Sequence, residues 1–192
     1  MPSALTRAMP FSTNGMRKLM WIVIGIAILA GVFYIVLSKK EETAVLPSDY
    51  KNISYTIEGR NIPLVDGKSV LDVAPGSASK VVTEFFGNTA KGDLNGDRIP
   101  DLAFILTQNS GGSGTFYYVV AALQQKDGSY IGTNGVLLGD RIAPQTTLIG
   151  GQTLVVNYAI RKNGEPMTAQ PSVGVTKYFR LPLGVLTEIA PH

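Results

Sequence analysis

LAFILT at residues 102–107 and FYYVVAAL at residues 116–123, with GGSG at 111–114 between them, decide the fold. A strand turns successive side chains to opposite faces, so a short run that is apolar at both parities belongs to a central strand covered on both sides. The glycines of GGSG permit a flexible loop, and the pair reads as a hairpin in the middle of a sheet.

The same period of two extends outward in both directions. Thr146–Ile149 and Gln152–Ile160 flank Gly150-Gly151 and read as another hairpin. In its second arm Leu154, Val156, Tyr158 and Ile160 alternate with Thr153, Val155, Asn157 and Ala159. Val173–Leu181 alternates likewise, with Val173, Val175, Phe179 and Leu181 on one face. Towards the N-terminus, Ser54–Glu58 and Ile62–Val65 read as short strands, and Asp66-Gly67 is a strong hairpin-turn signal. Ser77–Phe86 (SASKVVTEFF) stays open between two elements: Ser77 or Ser79 would cap a short helix, while the β-branched content argues for a strand. The expected fold is therefore mainly β: one antiparallel β-sandwich or open barrel over residues 54–192, with at most one short helix. A domain of this size buries about two-thirds of its unfolded surface, enough for one core without disulfides.

Residues 19–37 (LMWIVIGIAILAGVFYIVL) differ in kind from the rest, being 19 residues without a charge. As a helix they would extend about 28 Å, close to the hydrocarbon thickness of a bilayer. Trp21 and Tyr34 lie near the two ends, Arg17 and Lys18 precede the run, and Lys39 and Lys40 follow it. A cleaved signal peptide has a shorter apolar region and a small-x-small site, which Val36-Leu37-Ser38 matches poorly. The run is read as an uncleaved signal anchor. The positive-inside bias then gives a cytoplasmic tail (1–18), a single span of the cytoplasmic (inner) membrane (19–37), a stalk (38–53), and a periplasmic or extracellular domain (54–192). The Gly-Phe-Glu processing pattern of a type IV pilin is missing.

Composition narrows the chemistry. The chain of 192 residues has no Cys and one His, at position 192, so thiolate chemistry, disulfides and an internal catalytic or metal-bound imidazole are all excluded. Net charge is +3, but five Lys/Arg against two Glu lie in residues 1–42, and residues 43–192 carry twelve charges of each sign. The β domain thus has no excess of positive charge and no basic stripe for nucleic acid.

The densest chemical signal immediately precedes LAFILT. In GDLNGDRIPD (92–101), Asp93, Asn95, Asp97 and Asp101 occupy positions 1, 3, 5 and 9 of a loop, and Ile99 at position 7 would offer its carbonyl. Oxygen ligands at alternate positions curl around one hard cation, and calcium accepts six to eight of them in flexible geometry. An EF-hand is excluded because position 12 is Phe104 rather than Glu. The competing expectation is an Asx-rich turn whose side chains cap local N–H groups.

The sequence Asp93, Asn95, Asp97, Asp101, then LAFIL, GGSG and FYYVV resembles the calcium loop of FG-GAP/VCBS-type repeats. That resemblance implies a structural Ca2+ site, here in a single copy and so without a propeller. The family's glycine at position 6 is Arg98, which predicts weak binding, near 10⁻⁴–10⁻³ M as in extracellular modules. The pieces APGSASKVVTEFFGN, LLGDRIAPQTT and GEPMTAQPSVGV, together with the central stretch, also resemble an uncharacterised group of small bacterial membrane-anchored envelope proteins. This resemblance implies an envelope location and carries no activity.

Weaker constellations complete the list. Lys80 near Ser77 and Ser79 has the spacing of a Ser-Lys nucleophile without that motif's companion elements. Glu58, Glu84, Glu165 and Glu188 offer carboxylates for glycoside cleavage, but no spacing selects two of them. Asp140-Arg141 reads as a partly buried ion pair, and Lys162–Ser172 as a long connection suited to binding or to covering an edge. The expected role is a binding or structural envelope module with a calcium site and an envelope protein as possible partner. The alternatives are an envelope hydrolase, using carboxylates or a Ser-Lys pair, and an accessory subunit of a membrane complex.

Overall fold

The computed structural model describes residues 49–190. The expected cytoplasmic tail, transmembrane helix and residues 38–48 of the stalk lie outside the described residues. Among the described residues no helix is long and apolar enough to cross a membrane.

The chain forms β1 (Ser54–Ile57), β2 (Arg60–Pro63), β3 (Lys68–Asp72), β4 (Lys80–Gly92), β5 (Asp101–Asn109) and β6 (Phe116–Gln124). There follow β7 (Tyr130–Gly132), β8 (Val136–Asp140), β9 (Ala143–Gly150), β10 (Thr153–Ile160), β11 (Val173–Arg180) and β12 (Thr187–Ile189). All ladders between these strands are antiparallel. One sheet has the order β3-β4-β5-β6-β7, with β8 also paired to β6; a second has the order β12-β11-β10-β9; β1 and β2 form a separate hairpin.

The expected central hairpin is β5-β6, and the reason for its doubly apolar sequence is visible in the core. Ala103, Ile105, Val119 and Ala121 point to one side, where they pack with Leu154, Val156 and Tyr158 of β10 and Phe179 of β11. Phe104, Leu106, Tyr118, Val120 and Ala122 point to the other, where they pack with Tyr55, Ile57, Ile62 and Leu64 of the β1-β2 hairpin and its continuation. The large sheet is thus covered by the second sheet on one face and by the hairpin on the other. The two sheets approach where β4 meets β9, completing a curled half-barrel. A side chain at Gly92 would place its Cβ 2.8 Å from Ile149 Cγ2, so that approach needs glycine.

Three readings are decided by the structure. SASKVVTEFF forms no helix: Ser77 Oγ accepts the amide of Ser79 at 3.1 Å in a local turn, and Lys80 onward is β4. The β-branched residues decide this, because Val81 and Thr83 are buried on one face while Val82 and Glu84 turn to the other. The domain also begins before Ser54. Tyr50 stacks near Phe104, with ring centroids 5.3 Å apart, and its carbonyl accepts the buried hydroxyl of Tyr55 at 2.7 Å, so Tyr50 and Ile53, within the expected stalk, pack against the core. Finally, the expected turn at Asp66-Gly67 forms: both residues are left-handed, Val65 and Lys68 exchange main-chain hydrogen bonds of 2.9 and 3.0 Å across it, and β3 then pairs with β4.

Candidate functional site

The acidic loop connects β4 to β5, and each of the four side chains expected as ligands has a defined partner. Asp93 accepts the amide of Gly96 at 2.6 Å on Oδ1 and that of Arg98 at 3.0 Å on Oδ2. Asn95 Oδ1 accepts the amide of Asp97 at 2.9 Å. Asp97 Oδ1 accepts the amide of Ile99 at 2.7 Å, and its Oδ2 accepts Asn95 Nδ2 at 3.0 Å. Asp101, 0% exposed, accepts the amides of Leu94 (2.9 Å, Oδ2) and Gln124 (3.0 Å, Oδ1). Burial pushes the Asp101 carboxyl above its usual range, against those two amides, which pull it down.

The alternating spacing of Asp93, Asn95 and Asp97 therefore does what short polar side chains do in tight turns, satisfying main-chain donors two to five residues along. Leu94, buried in the core, anchors the loop from beneath. Arg98 has φ 69°, so position 6 takes the left-handed conformation for which the calcium-loop glycine is selected. The donor set is all oxygen, as a hard cation requires, and Asp93, Asn95 and Asp97 lie at least partly open to solvent. The carboxylates, however, are drawn to their own amides, and among the described residues no three His, Cys, Asp or Glu side chains converge as a metal-holding group.

The weaker constellations separate. Lys80 pairs with the Asp72 carboxylate, and Ser77 serves its local turn. Glu84 pairs with Lys68, Glu188 with Lys177, Glu165 accepts the amide of Lys162, and Glu58 accepts the hydroxyl of Tyr118. Four carboxylates thus have four separate partners. Asp140 and Arg141 form the expected ion pair, with Arg141 Nη2 2.7 Å from Oδ2, and Asp140 Oδ1 also accepts the amide of Thr115 at 2.9 Å. The Arg141 guanidinium holds the Asp140 carboxyl below the usual carboxylate range. The loop after β10 is tied down by Arg161, whose Nε donates to the Ala169 carbonyl at 2.7 Å and whose Nη1 donates to the Arg141 carbonyl at 2.8 Å.

Two hollows among the described residues bear on these groups. One, of about 380 Å³, lies beside the acidic loop between Leu94, Asn95, Gln152, Arg180, Pro182 and Ile189. The other, of about 310 Å³, lies at the tip of the β1-β2 hairpin and includes Glu58, Arg60, Gln108, Phe116 and Tyr118. Sequence reasoning missed this second group. Its one available signal is Glu58-Gly59, two residues between alternating strands, which is the length of a tight hairpin turn.

Comparison of the chain with known protein families, with characterised proteins and with solved structures finds no match.

Proposed function

We propose that this protein is a single-pass, membrane-anchored module of the bacterial cell envelope. Its β domain faces the periplasm or exterior and serves binding or structure, with one structural calcium ion at the acidic loop. The ligands are Asp93, Asn95, Asp97 and Asp101 and the carbonyl of Ile99. The observation that carries the reading is the distribution of carboxylates. Glu58, Glu84, Glu165 and Glu188 are dispersed on separate partners, which favours a module over a carboxylate-pair hydrolase, whereas Asp93, Asp97 and Asp101 are concentrated in one connection. The left-handed Arg98 supports the calcium part, because the backbone already turns where such loops need it to. The run at 19–37 and its flanking charges support the anchor.

Thermal unfolding of the full chain in chelator and in millimolar calcium tests the metal. We expect a rise of several degrees with calcium, absent in Asp93→Ala and Asp97→Ala, since a ligand of the folded state stabilises by mass action. An unchanged transition would overturn calcium and leave a self-capped turn. Protease added to spheroplasts tests the anchor: the β domain should be digested, and complete protection would overturn the outward orientation.

A further inference from the structure

The hollow at the hairpin tip lies on the face of the large sheet that the β1-β2 hairpin covers. Val81, Gln108, Phe116 and Tyr118 share by strand alternation the parity of the side chains packed beneath that hairpin. Four observations give this hollow a chemistry. Glu58 occupies the first central position of a two-residue turn at φ 51°, a place normally taken by Asn, Asp or Gly. Its side chain is fixed there by Tyr118, a residue 3% exposed whose hydroxyl donates 2.7 Å to Oε1. Arg60 is held by its own bond, Nη2 to the Asp72 carbonyl at 2.8 Å, while the Asp72 carboxylate is neutralised by Lys80. Phe116 stands 36% exposed, flanked by the exposed apolar side chains of Val73 and Leu137.

We propose that this hollow binds a small neutral saccharide, with the Phe116 ring as stacking face and Glu58, Arg60 and Gln108 as partners for its hydroxyls. One carboxylate and one guanidinium leave the wall without net charge, so an ionic ligand meets repulsion as well as attraction. Exposed ion pairs are worth little in water, whereas aromatic stacking with donors and acceptors of both kinds suits a polyol that has one apolar face. The volume is at the small end of ligand clefts, roughly 300–1,000 Å³, so the occupant is short. The strained Glu58 fits a side chain retained for its position rather than for its turn propensity. This inference rests on the reading of the domain as a binding module, and on neither its anchor nor its calcium.

The test is amide NMR of the ¹⁵N-labelled full chain in a detergent without a sugar headgroup, titrated separately with chitobiose, maltose, leucine and inorganic phosphate. We expect saturable, millimolar shifts from at least one disaccharide, confined to Glu58, Gln108, Ser110, Phe116 and Leu137. Phe116→Ala should weaken them about tenfold. Glu58→Gln, which keeps an oxygen for Tyr118, should weaken them without moving the unfolding temperature. No response to either disaccharide, a response elsewhere on the domain, or an equal response to leucine or phosphate would overturn the proposal. Silence to sugars alongside an intact calcium shift would sink the ligand and spare the module.

Discussion

Asp101, the first residue of β5, accepts the amide of Gln124, the last residue of β6, at 3.0 Å. The same carboxylate accepts the amide of Leu94 at 2.9 Å, so one fully buried side chain pins the acidic loop to the end of the central hairpin. Asp101→Ala leaves two main-chain donors without acceptors, and each lost partner costs about 1–3 kcal/mol. We expect a loss of about 2–4 kcal/mol in urea unfolding. Asp101→Asn should fall between, since its amide group faces one N–H with another. A negligible loss in the alanine variant would show that water replaces both bonds.

Arg98 carries a conformation suited to glycine, at φ 69°, while its amide donates to Asp93. Arg98→Gly removes the Cβ strain and keeps that bond. The gain should be about 0.5–1 kcal/mol, read as a raised unfolding temperature, and Arg98→Val should lose about as much or more. Equal stability in all three would mean that the loop relaxes around the residue.

How far the sequence reveals this fold depends on whether burial follows a simple period. β5 and β6 were legible because both faces are covered, which makes Leu102–Leu106 and Phe116–Leu123 apolar at both parities, and β10 because Leu154, Val156 and Tyr158 alternate cleanly inward. β4 was not, because its register shifts between Phe85 and Gly87 and again between Gly87 and Ala90, with Gly87 and Asn88 left-handed. Bulges erase the period of two, and SASKVVTEFF then offers serines that imitate helix caps. On β11 Lys177 occupies the inward parity opposite Val156, an exception made tolerable by its pairing with Glu188 on the edge strand. In the acidic loop the residue types were legible, and so was the departure from the family's glycine at Arg98, the residue that proves left-handed. The capture of the carboxylates by amides was legible only as one of two readings, because the same Asx spacing serves both a turn and a cation. The Glu58–Tyr118 contact joins residues sixty positions apart and leaves no local trace.

The hairpin cover depends on Gly132. A Cβ there would sit 2.2 Å from the Ser54 carbonyl oxygen and 2.9 Å from Tyr55 Cδ1, against the β1 backbone and a buried ring. Gly132→Ala should cost several kcal/mol by forcing β1 away from β7. Amide exchange should accelerate at Tyr55 and Ile57 before it does at Val119 or Leu154. Gly150→Ala, whose Cβ would meet open space, is the control and should stay within about 0.5 kcal/mol. Similar losses at both positions would contradict the close approach.

Asp140 and Arg141 make the domain's acid response testable. The guanidinium lowers the Asp140 carboxyl, with the Thr115 amide adding to the effect, so the fold favours the ionised form. A depressed carboxyl contributes stability that is present above its unfolded value, near pH 3.9, and is lost as the pH falls through the lower folded value. The side chains are 24% and 29% exposed, which keeps the contribution to about 1 kcal/mol. Asp140→Asn retains the acceptor for Thr115 but removes the charge. At neutral pH it should therefore be less stable than wild type by about that amount. The difference should shrink as unfolding is measured at successively lower pH, reaching zero once Asp140 is protonated in both states. A difference independent of pH would show that the variant's loss comes from hydrogen-bond geometry and not from the ion pair.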